Sequence, residues 1–170
     1  MLNTIMRGAC SVVAVFALGA AFVSSADEAA KELSIYDTAL GAGWENWSWA
    51  KTELSVELGG SARKPIRIEA TPWSALYLHH APFSTTGYSK LDLLVQGSVP
   101  DREVRVFLLT DGKINGEGKL VKISNTGWTR VEVPLVTLAS DDKMIDGFWV
   151  QNASGTDLPK FYVTEIKLVP

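Results

Sequence analysis

Residues 73–80 read Trp-Ser-Ala-Leu-Tyr-Leu-His-His, and large apolar residues alternate there with period two. The alternation predicts a β-strand with Leu76, Leu78 and His80 on one face and Trp73, Ala75, Tyr77 and His79 on the other. The leucine face is that of a core. The opposite face carries an indole, a phenol and an imidazole in one row, about 7 Å apart along the strand. Such a row is either a binding surface or the second face of a strand buried on both sides.

The same period recurs along the chain. Strands are expected over 33–37, 44–49, 53–58, 65–70, 91–96, 104–109, 128–133, 148–151 and 161–168, with turns at Gly41, Gly43, Gly59-Gly60, Asp111-Gly112 and Asn115-Gly116. Residues 82–87 read as a loop and 134–140 as a short helical turn. Leu76, Leu78, Leu91, Leu93, Val104, Val106, Phe148 and Val150 share one parity on four strands, which places them in one core. About eleven short strands without a long helical period indicate an all-β antiparallel sandwich or jelly roll.

The N-terminus changes this picture by shortening the folded part. Arg7 precedes an apolar run over 9–23, and Ser24-Ser25-Ala26 follows it. Small residues there fit a signal-peptidase site, and the run is shorter than the ~20 residues of a membrane span. Residues 1–26 are therefore read as a signal peptide cut after Ala26, leaving 27–170 as one secreted domain without membrane attachment. Cys10, the single cysteine, falls in the leader, so the mature domain has neither disulfides nor thiol chemistry. Arg7 is the leader's only charge, so the mature balance is 15 basic to 19 acidic residues, a net −4. No basic cluster stands out, which argues against a nucleic-acid partner.

At the level of whole stretches, the chain resembles secreted carbohydrate-binding-module β-sandwiches of the galactose-binding-like jelly-roll family. The resemblance is carried by Ile35-Tyr36-Asp37, Gly43 to Trp49, Ala75 to His80, Gly87-Tyr88 with Leu91, Trp128 with Val133-Pro134-Leu135, Asp146 to Gln151, and Phe161-Tyr162-Val163. These stretches span essentially the whole mature chain. The resemblance implies a jelly roll and a polysaccharide or oligosaccharide partner, met by a monomer, without naming the sugar. Family members often end in Val-Asp-Asp-Ile, whose first aspartate helps hold a structural calcium. Here the stretch is Val163-Thr164-Glu165-Ile166, so the usual position is altered, and Asp37 and Glu165 remain as candidate oxygen ligands for Ca²⁺.

A sugar offers C–H patches on its ring faces and hydroxyls at its edge, so a site needs flat aromatics and fixed donors and acceptors. Trp149 and Gln151 supply that pairing on one strand, and Trp73, Tyr77 and His79 on another. Arg105 is the one charged residue in a very apolar strand; it either points into the groove or pairs with a buried carboxylate. Trp47 and Trp49 share a strand face, core or groove, and Trp49 is assigned to the groove. Trp44 and Trp128 are assigned to the core. The candidate ligand-binding set is thus Trp49, Trp73, Tyr77, His79, Arg105, Trp149 and Gln151, provided their strands lie in one sheet. Asn46-Trp47-Ser48 and Asn152-Ala153-Ser154 match the N-glycosylation pattern.

No acidic pair marks this face, as glycoside hydrolysis would usually require. His79 and His80 point to opposite strand faces and cannot easily share a metal. The leading reading is a non-catalytic carbohydrate-binding protein. A protein-docking module, for which the aromatic face would serve equally, and a jelly-roll hydrolase or lyase are the alternatives.

Overall fold

The computed structural model describes residues 31–170. The expected leader, its cut after Ala26, and Cys10 lie outside the described residues. Twelve strands follow in chain order: β1 (Leu33–Tyr36), β2 (Glu45–Asn46), β3 (Lys51–Glu53), β4 (Ile66–Ala70), β5 (Ala75–Ser84), β6 (Lys90–Gly97), β7 (Arg102–Thr110), β8 (Lys113–Ile114), β9 (Lys119–Ile123), β10 (Thr129–Pro134), β11 (Met144–Gln151) and β12 (Leu158–Val169). A single 3-10 turn, Leu135–Leu138, links β10 to β11, in the place expected for a helical turn.

The strands form two antiparallel sheets. The first runs β10-β6-β12-β4-β3, with β1 also paired to β12; the second runs β2-β5-β11-β7-β8, with β9 also paired to β7. Their inner faces meet in one buried cluster. All eight residues assigned to a common core from their parity lie in it, together with Trp44 as a plug. Burial of each large aliphatic side chain contributes about 1.5–3 kcal/mol, so this shared parity is what holds the sheets together.

Strand β7 is apolar on both faces because its outer face is also covered. Phe107 and Leu109 form a second, smaller cluster with Tyr77, against which Trp149 packs. The second sheet therefore has an aromatic layer on its outer side, where an antiparallel sheet would ordinarily be polar.

The structure corrects the strand reading in four places. Trp73 does not belong to β5: it takes φ = 64°, and a turn closes just before the strand where the Ser74 N–H meets the Thr71 carbonyl at 3.1 Å. At its other end β5 continues through Pro82 to Ser84, past the point where β2 stops pairing with it at His79, so the proline sits on an open edge. The expected strand 44–49 survives only as β2. Trp47 and Ala50 still donate to Tyr77 and Ala75 at 2.9 and 3.0 Å, but the chain then bends away because β3 must pair with β4 in the other sheet. Residues 54–58 accordingly form no strand. Trp128 is half-buried and lies outside the main core cluster; the Arg63 guanidinium sits 5.8 Å from its ring centroid.

Candidate binding face

The condition placed on the two aromatic strands is met, since β5 and β11 are neighbours and β7 flanks β11 on its other side. Trp149 pairs with Tyr77 on one side and Phe107 on the other. Gln151 pairs with Ala75 and Arg105, and Gly147 with His79 and Leu109. Directly opposite residues share a sheet face, so these rows all project outward from the second sheet. Gly147 makes room for them: a Cβ there would come within 2.7 Å of the Tyr77 ring carbon Cε2.

The irregular segment after β2 completes the face. Trp47 lies flat on His79, with ring centroids 3.7 Å apart and planes 8° from parallel. It also meets Tyr77 edge-on at 5.8 Å. Trp49 meets Trp149 edge-on at 4.8 Å, and Tyr77 meets Trp149 at 5.6 Å. The rings are thus contiguous from His79 to Phe107. Trp47, Trp49 and Trp73 are 52%, 48% and 60% exposed, so three indoles are open to solvent on one side of the molecule.

Hydrogen bonds hold the exposed rings in place. Trp47 Nε1 donates to Glu45 Oε2 at 2.8 Å. Trp49 Nε1 and Gln151 Nε2 both donate to the Trp73 carbonyl, at 3.2 and 3.1 Å. Arg105 lies beside Gln151 and donates from Nη1 to the Glu117 carbonyl at 2.8 Å, which favours the groove-lining alternative over a buried ion pair. A cavity of about 370 Å³ opens between Trp73, Arg105, Phe107, Gln151, Ile114 and Glu117. Burial, and then the nearby Asp146 charge, raises the Tyr77 phenol above its ordinary value of 10.0, so the ring stays neutral.

All seven residues of the candidate set therefore lie on the outer side of the second sheet, although Trp73 reaches it from a turn and Tyr77 is itself buried among Trp47, Trp49 and Trp149. Two further residues belong with them. Trp47 has the same spacing signal as Trp49 and could have been read from it. Asp146 gave no signal: a bulge between Ile145 and Gly147 places it near Tyr77, buried, with Oδ2 accepting the Gly112 N–H at 2.9 Å. Its other oxygen, and the Trp149 indole N–H, are buried and find no partner among the described residues.

Of the two candidate calcium ligands, Glu165 is engaged by two arginines. Arg63 Nε and Arg130 Nη2 hold the Glu165 carboxylate at 2.8 and 3.0 Å. Asp37 is exposed, and it is its backbone carbonyl that accepts the Thr164 hydroxyl, at 2.7 Å. Among the described residues, no group of three or more His, Cys, Asp or Glu side chains could hold a metal ion. Of the two glycosylation patterns, that at Asn152 is closed off, because the side chain is fully buried and its amide nitrogen lies within 3.1 Å of three carbonyls.

A variant of a family 29 carbohydrate-binding module superposes with a TM-score of 0.61 at 16% identity, covering 82% of this chain and 91% of that one. A second variant of that module, complexed with cellulohexaose, gives 0.61 at 16%, covering 81% and 89%. A family 11 module from Clostridium thermocellum, in complex with a β-1,3-1,4-mixed-linked tetrasaccharide, gives 0.60 at 16%, covering 81% and 95%. The fold is that of a carbohydrate-binding-module jelly roll. No family model matches the chain. Among curated proteins, an endoglucanase from Dictyostelium discoideum is 22% identical over 147 residues, covering 80% of this chain but only 21% of that protein.

Proposed function

We propose that this jelly roll is a secreted, monomeric, non-catalytic carbohydrate-binding protein that holds a polysaccharide chain against the outer face of its second sheet. The observation that carries this reading is the contiguous aromatic layer with three half-exposed indoles, two of which, Trp47 and Trp49, are orientated by hydrogen bonds from their ring N–H groups. Flat rings meet the C–H faces of sugar rings, and Gln151, Arg105 and Glu45 stand at their edges to exchange hydrogen bonds with hydroxyls. Tyr77, Phe107 and Leu109 of this layer are buried, but Trp47, Trp49 and Trp73 stay about half exposed, and so large an exposed apolar patch marks a binding surface.

Its partner class is a neutral cell-wall or extracellular polysaccharide. The structural neighbours bound to cellulohexaose and to a mixed-linked tetrasaccharide have the same fold, which supports that choice. The non-catalytic part of the proposal rests on the carboxylates. Glu45 is engaged by Trp47 and Asp146 is buried against the Gly112 amide, and Glu117 is the single carboxylate among the described residues lining the smaller cavity, without the second that glycoside hydrolysis usually requires.

Titration of the purified protein with cello- and manno-oligosaccharides and with mixed-linked β-glucan tests the reading. Saturable binding without release of new reducing ends is expected. Failure to bind any of them, or steady release of reducing ends, overturns it. Secretion is tested separately by N-terminal sequencing of material from the medium, which should begin at Asp27.

A further inference from the structure

We infer that the sugar-binding track continues past Trp73 and Ala153 into a second cleft at the end of the sandwich, which takes further units of the same neutral glycan chain. The inference rests on the carbohydrate reading above. This second cleft is the larger, about 590 Å³ against about 370 Å³. Both volumes fall in the ~300–1,000 Å³ range of small-ligand sites.

The two spaces adjoin. Ala153 lines both. Arg105 borders the smaller cavity, and Leu120, its register partner on β9, borders the larger. A chain lying across Trp149 and Gln151 therefore reaches the second cleft by crossing one further strand.

The walls at the junction are pinned by one buried residue. The Asn152 backbone accepts the Trp73 N–H and donates to the Ser74 carbonyl, both at 2.9 Å. Its side-chain oxygen accepts the Ser154 N–H at 3.0 Å and the Ser154 hydroxyl at 2.7 Å. Asn152 thus fixes the Trp73 turn on one side and the cleft wall at Ser154 on the other. Trp73 keeps φ = 64°, a backbone conformation that a bulky residue holds only when its surroundings impose it. Strain of this kind collects at binding sites, and here it leaves the exposed indole on the wall of the smaller cavity, which Ala153 joins to the larger.

The cleft's chemistry suits hydroxyls. Asp101, Arg102, Glu103 and Lys122 balance in sign, and Asn125 and Ser154 add neutral donors and acceptors. No aromatic ring lines it, so it contributes hydrogen bonds and not stacking. With no excess of positive charge it offers nothing to favour a uronate or sulfated chain over a neutral one.

The test is calorimetric titration of the purified protein with cello- and manno-oligosaccharides from trimer to octamer. Affinity should go on rising beyond the length that covers the aromatic rows. The final gain should be roughly threefold to tenfold, as a few solvent-exposed hydrogen bonds to hydroxyls supply. The double variant Arg102→Ala/Lys122→Ala should lose that gain and bind the trimer unchanged; both side chains are exposed, so folding is retained. Ala153→Trp, which fills the junction, should have the same effect, and if it fails to fold the double variant still decides. Trimer binding with no further rise, or a gain that survives in the double variant, overturns the inference and leaves the carbohydrate reading standing. No binding at any length overturns both.

Discussion

The outer faces of the two sheets have the same architecture and opposite surfaces. The second sheet turns Tyr77 and Trp149 outward, and the irregular segment after β2 brings Trp47 and Trp49 against them. The outer face of the first sheet is laced with ion pairs: Arg67 with Glu53 and Glu69, Lys51 with Glu69, Lys90 with Glu132, and Arg130 with both Asp92 and Glu165. The ionic face is the ordinary way for a sheet to meet water, alternating apolar inward and polar outward. It shows that this fold is satisfied by charge on its outside. The aromatic face departs from that solution: beyond the buried cluster of Tyr77, Phe107 and Leu109 it leaves Trp47 and Trp49 about half exposed to solvent.

The largest effect should come from breaking the aromatic face. Each stacking platform is worth roughly 1–3 kcal/mol, with base stacking as the guide. Trp47→Ala/Trp49→Ala should therefore weaken glycan binding about thirtyfold or more. The thermal midpoint should move little, because both rings are about half exposed. Calorimetric titration beside a thermal melt checks the pair; a collapsed melt would place these rings in the core.

Arg130→Ala should do the reverse. It leaves the buried Asp92 carboxylate without its arginine, and Asp92 Oδ1 already lacks a partner among the described residues. A loss of about 1–3 kcal/mol in urea unfolding is expected, with glycan affinity unchanged. A matching loss of affinity would mean that the two faces are coupled through the core.

The faces should also respond at opposite ends of the pH scale. Burial raises the Tyr77 phenol, so its contribution to stability is present below pH 10 and lost as pH climbs through the raised value. The hydrogen bond from Lys90, and then the lysine charge, lower Glu132 below its ordinary 4.5. Its contribution is present above that value and lost as pH falls through the lowered one. Relative to Tyr77→Phe, the parent should lose stability only in alkali; relative to Glu132→Gln, only in acid. The smallest effect belongs to Lys51→Ala, which removes an exposed pair with Glu69 at 3.1 Å. It should cost at most about 0.5 kcal/mol and leave binding untouched.

Much of the aromatic face was legible because strand parity is a local property. Once Leu76, Leu78, Phe148 and Val150 are inward, Tyr77, His79, Trp149 and Gln151 must point the other way. Trp73 broke the pattern because a turn closed by Thr71 and Ser74 intervenes, and alternation cannot reveal where a strand starts. Trp47 was left undecided because the segment after β2 leaves one sheet for the other, which depends on where β4 lies. Glu165 resembled a calcium ligand in its local context, yet Arg63, about a hundred residues away, takes one of its oxygens.

Alternation, turn residues and the run of short strands were enough to determine an antiparallel sandwich, its core residues and the outward parity of the candidate rings. These follow from neighbours in the chain, where a side chain's face is set two residues at a time. The tertiary structure alone decided that β5, β11 and β7 lie side by side, which turns separate pairs of residues into one surface. It alone gave the Glu165 carboxylate to two arginines, and it alone set Ala153 between two cavities. Each of these depends on contacts between distant segments, and the free energy that selects them is that of the packed core as a whole, which no local stretch of the sequence contains.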